Sequence, residues 1–113
     1  MEKIDPIVIK FEDGETYTLE FNRKTVSEAE RDGFRRDDAG DMLMTRIPEL
    51  FYYAFRMHHP NLKRSQTDSI LFNDLGGLTD EMVERLVELY AAPYTTLVNE
   101  NGTPKNSKVT VSL

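Results

Sequence analysis

The stretch Ile47–His59, IPELFYYAFRMHH, places Phe51, Tyr52, Tyr53 and Phe55 within five consecutive residues of a chain of only 113. Projected at about 100° per residue, Ile47, Leu50, Phe51, Ala54, Met57 and His58 form one inward stripe of a helix, and Tyr52, Tyr53 and Phe55 widen it past a half-circle. A fold built on this helix must cover those flanks with its own elements or leave them for a second chain, since large bare apolar patches mark interaction sites or aggregation hazards. Two readings are open. The aromatic helix is core alone, or it is core with a flank that binds a partner. On the second reading the candidate partner-binding residues are Tyr52, Tyr53 and Phe55, with Tyr90 and Tyr94 on a later helix.

Ahead of this helix, Pro6–Phe11 and Thr16–Phe21 are rich in strand formers, and Asp13-Gly14 between them signals a hairpin. A two-residue turn would put Ile7, Ile9 and Phe11 on the opposite face from Tyr17, Leu19 and Phe21. A three-residue loop Glu12-Asp13-Gly14, with Gly14 in the left-handed region, brings all six to one face and leaves Lys10, Thr18 and Glu20 outside. The second register is expected. A lone hairpin is marginal in water and must pack on the helices or pair its edges.

The remaining signals are helical. Thr25-Val26-Ser27-Glu28 has the form of a capping box, and Gly33 is placed to end that helix. Residues 35–41 read as an exposed, mobile connection. Thr45 can cap the aromatic helix, with Pro48 in its first turn and Pro60 beyond its end. Ser65 opens a third helix that Gly76-Gly77 stops, and Thr79 caps a fourth with Asp80 and Glu81 at the positive end of its dipole. On the fourth, Met82, Leu86, Leu89, Tyr90 and Leu97 share a stripe, Glu84, Arg85 and Glu88 face away, and Pro93 should interrupt the helix near Tyr90. The expected fold is α+β: an N-terminal hairpin packed on a bundle of about four helices, as a single domain over residues 1–98. Residues 99–113 are a flexible polar tail whose last five residues alternate like a strand.

Composition narrows the functional classes. Without cysteine there is neither a disulfide nor a thiolate metal site, and no cysteine nucleophile. A net charge of −6 repels a phosphate backbone, so nucleic acid is not an expected partner. No apolar stretch approaches the roughly twenty residues of a membrane span, and the charged start is unlike a signal peptide. His58 and His59 diverge by about 100° on a helix and cannot share an ion. They suit a helix C-terminus, where Arg56, His59, Lys63 and Arg64 make a small basic patch. Gly76-Gly77 lacks the strand, lysine and hydroxyl of a phosphate loop, and Asp37, Asp38 and Asp41 lack the spacing of a calcium loop. No catalytic residue, metal ligand or cofactor is expected, and a non-enzymatic protein working through its surfaces is.

The hairpin, Arg46–Phe55 leading to His58-His59-Pro60, Ile70-Leu71-Phe72 and Gly76-Gly77-Leu78 together resemble, over most of residues 4–100, the small tail assembly chaperones of long-tailed bacteriophages and prophages. The resemblance implies a non-enzymatic protein of the infected cell's cytoplasm that is not exported. It would coat the tape measure protein, recruit tail tube protein, form homo-oligomers and be absent from the finished virion. Alternatives are a tail completion or connector protein retained in the particle, and an acidic host-directed inhibitor.

Overall fold

In the computed structural model of this chain, residues 4–34, 43–97 and Ser112 are described. The two strands, β1 (Ile7–Lys10) and β2 (Thr16–Leu19), are antiparallel, pairing Ile7 with Leu19, Val8 with Thr18, Ile9 with Tyr17 and Lys10 with Thr16. This is the three-residue loop register. Phe11 N–H donates to the Glu15 carbonyl at 2.8 Å, and Gly14, at φ 96°, donates back to the Phe11 carbonyl. That backbone angle costs a glycine nothing and would strain any residue with a Cβ. Ile9, Leu19 and Phe21 are buried, Ile7, Phe11 and Tyr17 are half-buried, and Val8 and Lys10 face out.

Helix α1 (Arg23–Arg31) starts earlier than expected. Asn22, not Thr25, is the N-cap: its Oδ1 accepts from the Thr25 amide at 2.8 Å, and the Thr25 hydroxyl accepts from the Asn22 amide at 2.9 Å. Thr25 therefore fills the third helical position of the box, completing the reciprocal pair of bonds that the motif requires. Gly33, at φ 98°, ends the turn as expected.

Helix α2 (Leu43–Phe55) is the centre of the fold and packs against β2, α1, α3 (Arg64–Ser69) and α4 (Asp80–Ala91). Thr45 lies inside α2 and is no cap. Pro48 sits in the helix interior, where the bond it withholds would have gone to the carbonyl of Met44, a residue 85 % exposed and so within reach of water. The helix also ends sooner than the stripe suggests. After Phe55 the Arg56 amide turns back to the Tyr53 carbonyl, while the Ala54 carbonyl accepts from the Glu20 amide at 2.9 Å. Losing one turn of helix thus satisfies the outer edge of β2, and Met57 and His58 leave the stripe for the surface.

Ser65 is not the cap of α3. Lys63 is, its amide donating to Gln66 Oε1 at 2.8 Å. The chain continues from α3 into a π-helical turn, Ile70–Asp74, where the Leu75 amide reaches back to the Ile70 carbonyl. Helix α4 is capped by Thr79, whose hydroxyl accepts from the Met82 amide, and passes into a 3-10 segment, Ala92–Thr96, at Pro93. One apolar core joins the hairpin, α1, α2, the π-helical turn and α4, from Ile9, Leu19 and Phe21 through Val26 and Ala29, Leu50, Phe51 and Phe55, to Ile70, Leu86 and Leu89. The expected α+β fold, a hairpin on four helices, is the fold observed. The charged connection at 35–41 and the tail at 99–113, apart from Ser112, lie outside the described residues.

Candidate functional site

Three of the five aromatic residues proposed from sequence as partner-binding are core. Phe55 is 0 %, Tyr90 1 % and Tyr53 8 % exposed. The cause is the central position of α2, which other elements flank on several sides, so Tyr53 and Phe55 do not lie on a free flank of that helix. Phe55 meets Phe51 edge-on at 5.0 Å, and Tyr90 meets Phe21 at 5.2 Å and Phe34 at 5.0 Å, geometry typical of packed aromatic interiors. Tyr52 and Tyr94 remain half-buried. Tyr52 leans on Tyr53 and lies 6.0 Å beneath the Arg56 guanidinium. The two do not line one site, since Tyr52 is not among the residues of the cleft that Tyr94 lines.

Tyr94 instead helps build a cleft between α1 and the 3-10 segment. Arg23, Val26, Ser27 and Glu30 of α1 face Pro93, Tyr94 and Leu97 across a space of about 210 Å³. Pro93 stands at the start of the 3-10 segment, where its missing amide hydrogen costs little, and the tighter winding of that segment changes the phase of the residues after it. Leu97, expected on the inward stripe of α4, is consequently 70 % exposed at the mouth of the cleft. Tyr94 donates its hydroxyl hydrogen to Glu30 Oε2 at 2.7 Å, fixing the ring as one wall. The cleft offers an apolar interior from Val26, Pro93, Tyr94 and Leu97, with Arg23, Ser27 and Glu30 as a polar rim. Of the residues lining the cleft, Tyr94 alone was read from sequence as partner-binding; Val26 was read as part of a cap, Leu97 as part of the inward stripe, and Pro93, at the point where the helical phase changes, was the signal available.

Several polar groups elsewhere among the described residues are committed to structure. The Tyr53 hydroxyl donates to Asp32 Oδ2 at 2.5 Å, and burial, reinforced by that carboxylate, raises the phenol above its ordinary range. Tyr17 bonds Glu15 Oε2 at 2.6 Å, which raises its phenol, with burial adding to the effect. The basic patch expected after α2 does not assemble as free charge. Arg56 pairs with Glu28 at 3.5 Å and donates to the Pro60 carbonyl, and Arg64 pairs with Asp68 at 2.9 Å. His59 is an acceptor, its Nε2 receiving the Thr18 amide hydrogen at 3.0 Å, and burial followed by the neighbouring His58 lowers its pKa. His58 Nε2 lies 2.9 Å from Glu20 Oε1. Among the described residues no group of three or more histidine, aspartate or glutamate side chains is arranged to hold a metal ion, and no helix is long and apolar enough to cross a membrane.

Residues 2–113 match a family described as a domain of unknown function, DUF5055, and the chain belongs to that family. No curated protein and no solved structure matches it.

Proposed function

We propose that this DUF5055 protein is a non-catalytic binding protein whose cleft between α1 and the 3-10 segment takes an apolar face of another polypeptide. The observation that carries the reading is Leu97, 70 % exposed beside the half-buried Tyr94 at the mouth of a cleft with an apolar interior. An aliphatic side chain held out in water at the lip of such a cleft gains when a partner covers it, by roughly 25 cal/mol for each Å² removed from solvent. An amphipathic helix, presenting apolar residues at three- and four-residue spacing, is the client shape that suits it.

The specific task proposed is that of a tail assembly chaperone acting in the host cytoplasm, with the tape measure protein as client, tail tube protein as second partner, and self-association among its working states. Support for this layer comes from the resemblance in layout, and the cleft supplies a place for an apolar helical client. Co-expression with the tape measure protein tests both layers. Capture of the client by wild type, lost in Leu97→Asp with an unchanged circular dichroism spectrum, is the expected result. Equal capture by the variant overturns the cleft. Failure of wild type to capture the tape measure protein overturns the chaperone task, and recovery of the protein from purified virions reassigns it to the particle.

A further inference from the structure

Two adjacent histidines at the end of α2 engage the outer edge of β2, and protonation acts on them in opposite senses. A backbone amide can only donate, so the Thr18 N–H bond to His59 Nε2, 3.0 Å long, requires that nitrogen to be bare and the ring neutral, with its hydrogen on Nδ1. His58 Nε2, 2.9 Å from Glu20 Oε1, faces a carboxylate and gains an ion pair when protonated. We propose that His59 is a pH-operated latch: neutral, it holds β2 against the end of α2, and protonated, it lets the Thr18 end of the strand go. This is independent of the binding role proposed above, and either can fail alone.

Among the described residues, none forms an ion pair with His59. From β2 it meets the Tyr17 ring at 5.1 Å, whose hydroxyl is already bonded to Glu15, and Glu20 on the same edge is engaged by His58. From α2 and its end come the Phe55 ring at 6.2 Å and the His58 ring at 6.4 Å. From the connection to α3 and its first turn come Pro60, Asn61, Leu62 and Gln66, all uncharged, which with the two histidines line an open depression through which solvent reaches the site. Burial and the charge of His58 both act against a proton on His59. When one arrives, its N–H points at the Thr18 N–H and the bond is replaced by repulsion. The neighbouring tie, Glu20 N–H to the Ala54 carbonyl at 2.9 Å, carries no titratable group and keeps the C-terminal end of β2 anchored. The strand is therefore released from one end only.

Amide hydrogen exchange on the full chain, normalised for intrinsic rates, reads the latch at Thr18. Between pH 7.5 and pH 5.0 its protection should fall about fivefold in wild type, the loss expected for one hydrogen bond. His59→Gln, which keeps an acceptor without a titration, should abolish the pH dependence, whereas His58→Gln should retain it. The imidazole nitrogen shifts of wild type at pH 7.5 add a reading that needs no variant to fold, with Nε2 bare and Nδ1 protonated. PH-independent protection at Thr18 in wild type, an equal fall in His59→Gln, or a hydrogen on Nε2 at pH 7.5 each overturns the proposal.

Discussion

The Tyr94 hydroxyl donates to Glu30 Oε2 at 2.7 Å, tying the 3-10 segment near the end of the fold to a helix 64 residues earlier. The bond holds the tyrosine ring as a cleft wall, so orientation and contact area can be separated by substitution. Tyr94→Phe should cost at most about 1 kcal/mol of stability, because the bond is exposed, and leave partner affinity nearly intact. Tyr94→Ala should weaken binding by more than about 1 kcal/mol, as truncation of a contacting aromatic does. Urea midpoints and titration calorimetry with the captured client measure the two effects.

Phe55 and Tyr52 stand three residues apart on α2 in different surroundings, one fully buried and one half-buried. Phe55→Ala should destabilise the fold by about 3–5 kcal/mol, through lost burial and the cavity left behind. Tyr52→Ala should cost well under half of that. Chemical denaturation of both variants checks the ratio, and equal losses would show that Tyr52 is as much core as Phe55.

Alkaline pH should find a weakness at Tyr53. Its phenol is raised by burial and then by Asp32, above an ordinary value of 10.0. The unfolded chain therefore loses this proton first as pH rises, so the stabilisation is fully present below pH 10 and is lost progressively above it. Tyr17, raised by its bond to Glu15, contributes in the same sense. In Tyr53→Phe the decline of the urea midpoint above pH 10 should be shallower than in wild type, and the ultraviolet phenolate titration should lose its latest component.

Asn22 and Thr25 satisfy each other's amides at the start of α1. Asn22→Ala should cost about 1 kcal/mol, as removal of a helix cap does. Thr25→Val, which keeps the shape and deletes the hydroxyl, should cost a similar amount. In the double variant the losses should not add, because each single change already breaks part of one reciprocal unit. Thermal unfolding of the three proteins checks this.

The elements were legible where a local rule leaves one solution. The hairpin register follows from alternation and Gly14 alone, because the other register divides the apolar set between two faces. Thr79 was readable as a cap because no competing hydroxyl or amide side chain immediately precedes it. At α1 and α3 the start was misplaced because Asn22 and Gln66 also serve as capping groups, and local sequence does not rank them against Thr25 and Ser65. The end of α2 was not legible at all, since it is set by the Glu20 amide of β2, remote in sequence, claiming the Ala54 carbonyl. The cleft was missed for a related reason. Leu97 was projected along a continuous α-helix, and the 3-10 winding after Pro93 turns it outward.

The end of α2 covers one long flank of the hairpin, where Thr18 and Glu20 donate their amides to His59 and Ala54. Among the described residues, a two-stranded ribbon stoppered on that side leaves the edge beside Val8, 47 % exposed on β1, for an added strand. A strand added at that one edge would join two molecules back to back and leave neither with a further free edge of the ribbon.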